Sequence, residues 1–129
     1  MNELLEISPG CVFANLGFMG HPWVILAKAP DGALLMANWS SLRPGKSAGC
    51  VLHPTDHPLI KHDSYMVYAL MREISPEQLH QRVEEGNLHR AGRVSPETLK
   101  RIWDGFFADK KVPPYMKTRY SFLKGVDAL

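Results

Sequence analysis

The stretch His53-Pro54-Thr55-Asp56-His57-Pro58-Leu59-Ile60-Lys61-His62-Asp63-Ser64-Tyr65 gathers more reactive side chains than any other part of the chain. It holds three of the six histidines, a lysine, two aspartates, a serine, a threonine and a tyrosine, interrupted only by Leu59 and Ile60. Prolines at 54 and 58 fix local φ and break a regular strand. A rigid, irregular loop rich in titratable groups is a common place for functional residues. One chemistry it suits is phosphodiester cleavage without a metal. That reaction needs a base for the 2′-OH proton, an acid for the leaving oxygen and a cation for the charge on phosphorus. Histidine serves as either acid or base near neutral pH. Lys61 supplies a cation, and hydroxyls such as Ser64 and Tyr65 hold non-bridging oxygens. His57 and His62 are the candidate acid and base, and no cofactor is expected. A second chemistry is a metal site built from His53, Asp56, His57 and His62, a mixed N/O set acceptable to zinc. The third reading is structural: His and Asp in proline-rich turns often cap backbone groups.

Two other motifs are decoys. Gly45-Lys46-Ser47 resembles the end of a phosphate-binding P-loop, but Ser40 stands where the first glycine belongs. The residues that follow feed a strand instead of the helix that would hold phosphate. Asn38-Trp39-Ser40 matches a glycosylation acceptor that matters only in a secreted protein.

The elements that position these groups fall into two halves with different periods. Cys11–Leu16, Pro22–Ala29 and Ala33–Trp39 are short apolar runs that predict strands, and Pro30-Asp31-Gly32 predicts a hairpin turn between the last two. Residues 42–49 form a loop, Cys50–His53 a brief strand, and Tyr65–Met71 a fifth strand apolar on both faces. Ser75-Pro76-Glu77-Gln78 then opens a helix with a capping box and Pro at its first position, ending near Gly86-Asn87. Ser95-Pro96-Glu97 repeats the opening. Leu99, Ile102, Trp103, Phe106 and Phe107 follow at helical spacing and need the sheet as a partner. A last short helix is expected around Met116, Tyr120 and Leu123. His80 and His89 read as surface or loop residues, and Trp39 and Trp103 as core. The expected fold is α+β: one domain over 1–129, a small antiparallel barrel over 8–72, and a helical extension over 75–124.

The order of features in residues 8–72 resembles the MazF/PemK-like growth-inhibitor toxins, as a divergent member. The matching stretches are Ser8-Pro9-Gly10-Cys11-Val12-Phe13, Gly20-His21-Pro22-Trp23-Val24-Ile25-Leu26, Ala37-Asn38-Trp39-Ser40-Ser41-Leu42 and Asp56 through Tyr65. The resemblance implies an SH3-like barrel, usually a homodimer paired with an antitoxin protein, that cuts single-stranded RNA without metal. It places a catalytic hydroxyl at Ser40 or Ser41. Where the family has an arginine after its first loop, this chain has His21. Imidazole lacks the bidentate fork of a guanidinium, so His21 would act as acid or base with Lys61 as the cation. Arg43 and Lys46 are further candidates for holding the RNA. Two other classes stay open: a non-catalytic SH3-like module that binds nucleic acid or a protein through Trp23, Trp39 and Tyr65, and a metal-dependent hydrolase.

Composition sets the remaining bounds. With 129 residues, 45% of them hydrophobic, the chain can bury a real core. Cys11 and Cys50 sit in apolar runs and read as reduced thiols. Net charge is only +2, divided as −1 over residues 1–60 and +3 over 61–129, too little by itself to argue for nucleic acid. The acidic start lacks the pattern of a secretion signal, and no run approaches the roughly 20 apolar residues of a spanning helix. The expected location is the cytoplasm, with no membrane partner.

Overall fold

The computed structural model describes residues 7–15, 21–43 and 49–126. Six strands form one antiparallel sheet: β1 (Cys11–Asn15), β2 (Trp23–Lys28), β3 (Leu34–Ser41), β4 (Val51–Leu52), β5 (Ser64–Ile74) and β6 (Leu88–Arg93). Their order across the sheet is β4-β5-β3-β2-β1-β6, and the sheet curls into a half-barrel. Among the described residues three α-helices accompany it, α1 (Pro76–Glu84), α2 (Pro96–Ala108) and α3 (Pro114–Arg119). The fold is therefore α+β. No helix among the described residues is long and apolar enough to cross a membrane.

Local chemistry sets the turns and helix starts. Between β2 and β3, Gly32 has φ +94°, the Ala33 N–H donates to the Asp31 carboxylate, and the Ala29 N–H donates to the Ala33 carbonyl. Positive φ at the corner is why glycine stands there. The Ser75 hydroxyl accepts from the Gln78 N–H while the Gln78 side chain accepts from the Ser75 N–H, the reciprocal cap expected for α1. The Ser95 hydroxyl caps α2 by accepting the Thr98 N–H, without the reciprocal bond to its own N–H.

The strands read as continuous apolar runs because both sheet faces are covered. Val12, Val24, Leu26, Ala37, Trp39, Met66 and Tyr68 face one core, into which α2 inserts Leu99, Ile102, Trp103 and Phe106. Cys11, Phe13, Ile25, Leu34, Met36 and Ile74 face a second core, closed by Leu79 of α1 and Leu88 of β6. Each large side chain buried from α2 contributes about 1.5–3 kcal/mol relative to exposure, so losing the helix would remove a large part of an ordinary domain's stability. Two hydrogen bonds fix its position: Trp103 Nε1–H donates to the Leu26 carbonyl at 2.7 Å, and Tyr68 O–H donates to the Ile102 carbonyl at 2.6 Å. Trp39 and Trp103 are core residues, and both cysteines are free and buried.

Some expected boundaries moved. The segment 75–124 is not purely helical, because β6 lies within it and pairs with β1. His89 belongs to that strand and is half-buried rather than on a loop. Strand β5 runs to Ile74, well past Met71, since Leu34–Met36 of the hairpin arm pair with Arg72–Ile74.

Gly105 permits the close approach of α2 to β5. A Cβ there would lie 2.6 Å from the Tyr68 hydroxyl and 2.8 Å from Cys50 Cβ. Alanine improves helix propensity by roughly 1 kcal/mol, but overpacking typically costs about 1–3 kcal/mol. Gly105→Ala is expected to lower the urea midpoint despite that propensity. An unchanged or raised midpoint would show that the helix and strand separate easily.

Candidate functional site

The polar segment leaves β4, makes a short 3-10 turn over Pro54–Asp56 and returns into β5. Most of its side chains hold the loop itself. The Asp56 carboxylate accepts from the His53 N–H, the Thr98 hydroxyl and both guanidinium nitrogens of Arg101, at 2.7–3.0 Å. Burial alone would raise its pKa. The bonds from Arg101, the His53 N–H and Thr98 outweigh burial and hold the carboxyl at about 2. Asp56 thus ties the loop to α2 and has no lone pair left for a metal or substrate.

His57 is only 3% exposed and packs against the Trp39 ring at 5.9 Å. Its Nε2–H donates to the Ala91 carbonyl of β6 at 2.6 Å, and its Nδ1 accepts the Leu59 N–H at 3.0 Å. Both ring nitrogens are engaged, which fixes the neutral Nε2–H tautomer. Burial lowers its pKa, with partial relief from the Ala91 bond. The expectation of His57 as an acid or base in a shared cleft is corrected: it is a buried strut between the loop and the far edge of the sheet.

His62 is the histidine of this segment that remains exposed at a reactive partner. Its Nε2 lies 2.5 Å from Ser41 Oγ. Strand register produces the pair, since Ser41 sits directly across from Ser64, at the end of β3. The Ser64 hydroxyl donates to the His62 carbonyl at 2.9 Å, and the Leu42 N–H donates to the Asp63 carbonyl at 3.0 Å. Ser64 is buried, so it positions His62 instead of meeting a substrate. Ser40 is half-buried and pairs across from Tyr65; the hydroxyl that meets an imidazole is Ser41. Next to the pair, His53 Nδ1 and Asp63 Oδ1 are 2.8 Å apart, both about half exposed.

The other candidates are divided. His21 is exposed and precedes β2 by two residues. Trp23 pairs with Asn38, so His21 stands at the same end of the sheet as Ser40 and Ser41. Arg43 is exposed two residues beyond Ser41. Lys61 is exposed, with Nζ donating to its own loop at the Pro58 carbonyl, 3.1 Å away. Lys46 lies outside the described residues. The tetrad proposed for metal does not converge, because Asp56 faces α2 and His57 faces β6. Among the described residues, no three His, Cys, Asp or Glu side chains are placed to hold a metal ion. Sequence reasoning did not anticipate Arg101 and Ala91 as the loop's anchors, since nothing local marks contacts 34–45 residues away.

A neutral buried His57 makes stability pH-dependent. The unfolded chain takes up a proton as pH falls below about 6.5, the ordinary value, while the folded site resists. Stability is fully present above that pH and declines below it, by at most about 1.4 kcal/mol per pH unit for one proton. His57→Gln, which can still donate to Ala91, is expected to flatten the slope of melting temperature between pH 7 and 5. Equal slopes in the two proteins would show that His57 is not held neutral.

Compared with protein-family models and with curated proteins, the chain matches none, so its function has to be argued from the Ser41–His62 end of the sheet.

Proposed function

We propose that this chain is a metal-independent endoribonuclease of MazF/PemK-like type, acting on single-stranded RNA from the open end of an SH3-like barrel. The observation that carries this reading is the exposed Ser41–His62 pair, an imidazole nitrogen and a hydroxyl at hydrogen-bond distance on a backbone fixed by β3–β5 pairing. In the reaction, His62 Nε2 takes the proton of a substrate 2′-OH. The 2′-oxygen attacks the adjacent phosphorus, the bond from phosphorus to the 5′-oxygen breaks, and that oxygen takes a proton from a second acid. Products are a 2′,3′-cyclic phosphate and a 5′-hydroxyl. His21, at the same end of the sheet, is the candidate second acid. The Ser41 hydroxyl, with Arg43 and Lys61 as nearby cations, supports the charge on the phosphoryl oxygens.

His57 has no part in proton transfer under this reading. Its two occupied nitrogens leave the loop-anchoring role, and Ser64 acts through His62. The resemblance adds two expectations about partners, a homodimer and an antitoxin protein. A non-catalytic binding module is the competing reading, favoured by the half-buried Trp23 beneath the Arg72 guanidinium.

Incubation of the purified protein with a single-stranded RNA pool in the presence of chelator is expected to yield fragments ending in cyclic phosphate. His62→Ala and Ser41→Ala should each lower the rate by at least about 100-fold, the low end for losing an acid–base group or a donor to the developing charge, with circular dichroism unchanged. Saturable binding without fragments would favour the binding module. Cleavage that survives both substitutions would remove the mechanism.

A further inference from the structure

A second feature lies beside the second core, where β2, β3 and β5 meet the corner between α1 and β6. A cavity of about 170 Å³ opens there. Its floor is apolar, from Met36, Ile74 and Leu88, and the Trp23 ring forms a wall. Arg72, Arg82 and Asn87 stand around it, with the Arg72 guanidinium carbon 5.8 Å from the Trp23 ring centroid. Drug-sized sites begin at roughly 300 Å³, so this cavity suits one small planar ring rather than an extended ligand.

Charge defines what that ring carries. Among the described residues neither Arg72 nor Arg82 forms an ion pair. Glu85, on the same corner, takes the Asn87 amide at 3.3 Å. Two guanidiniums lining a cavity with an aromatic wall fit an anionic group attached to a planar one, since arginine grips phosphate through its fork and an aromatic face stacks a base. The neighbouring cavity of about 420 Å³ is larger, but three carboxylates, Asp31, Glu73 and Glu77, line it against one cation, Lys28, which disfavours phosphate there.

We propose that this cavity is a nucleotide subsite, which stacks one base of an RNA strand on Trp23 and holds its phosphate between Arg72 and Arg82. Met36, the β3 residue that lines the cavity, lies five residues before Ser41, so the subsite is roughly 17 Å along the strands from the Ser41–His62 pair at about 3.3 Å per residue. A strand entering the cavity would reach the sheet end within a few nucleotides. The choice of ligand rests on the ribonuclease reading; the binding test does not.

The test uses the full chain carrying His62→Ala, titrated with 5′-AMP, adenosine, inorganic phosphate and a single-stranded oligoadenylate while tryptophan fluorescence is read. Trp39 and Trp103 are 4% and 6% exposed, so quenching by a stacked base reports Trp23. AMP and the oligonucleotide should quench, adenosine should bind at least tenfold more weakly, and inorganic phosphate should leave the emission unchanged. Arg72→Ala/Arg82→Ala should weaken oligonucleotide binding at least tenfold and flatten its salt dependence, and Trp23→Leu should abolish the quench. Equal affinity in the double-arginine variant, or a folded protein that shows no quench, would overturn the subsite. Binding with these properties in a protein that cuts no RNA would uphold the subsite and sink the enzymatic reading. Cleavage by wild type with KM unchanged in the arginine variant would do the reverse.

Discussion

A curled sheet that does not close leaves two edges whose backbone groups need partners, and in this protein one imidazole spans them. The edge strands are β4 and β6. The loop that leaves β4 carries His57 back to the Ala91 carbonyl of β6, and the same ring accepts the Leu59 N–H of its own loop. A buried donor or acceptor stripped of its partner costs about 1–3 kcal/mol, so the neutral tautomer of His57 is a condition of the loop's shape. Asp56 reinforces it through Thr98 and Arg101 of α2. With these two anchors set, the return path into β5 places His62 over Ser41.

One polar segment therefore divides into two layers by burial. His57 and Asp56 face inward, with every polar atom satisfied and with pKa values that favour the forms they hold in the fold. His62, His53 and Asp63 face outward beside the end of β3. A rigid inner layer that supports an outer reactive pair is what acid–base chemistry requires, because a misplaced base loses most of its effect. Ser64 belongs to the inner layer, and its hydroxyl on the His62 carbonyl is the closest link between the two.

Much of the fold was legible in the sequence, for identifiable reasons. The caps at Ser75 and Ser95, the Asp31-Gly32 corner and the stripe from Leu99 to Phe106 are local signals and appear where their chemistry puts them. Strand β6 was missed because Leu88-His89-Arg90-Ala91-Gly92-Arg93 has little apolar content and gains its strand partner from β1, some 75 residues earlier. For the candidate site, composition pointed to this loop but could not sort its histidines. His57 and His62 are alike in sequence terms, and only distant contacts, Ala91 for one and Ser41 for the other, separate the buried strut from the exposed imidazole. Ser41 could not be told from Ser40 until the register with Ser64 and Tyr65 was known.

The protonation state of His57 tests this account most directly. Two-dimensional long-range 1H–15N NMR of the imidazoles at pH 7, assigned by comparison with His57→Gln, should show His57 as a single neutral ring protonated at Nε2, its proton protected from solvent exchange. A His57 found as imidazolium, protonated at Nδ1, or exchanging freely would mean that the loop is not clasped to β6, and the placement of His62 against Ser41 would lose its support.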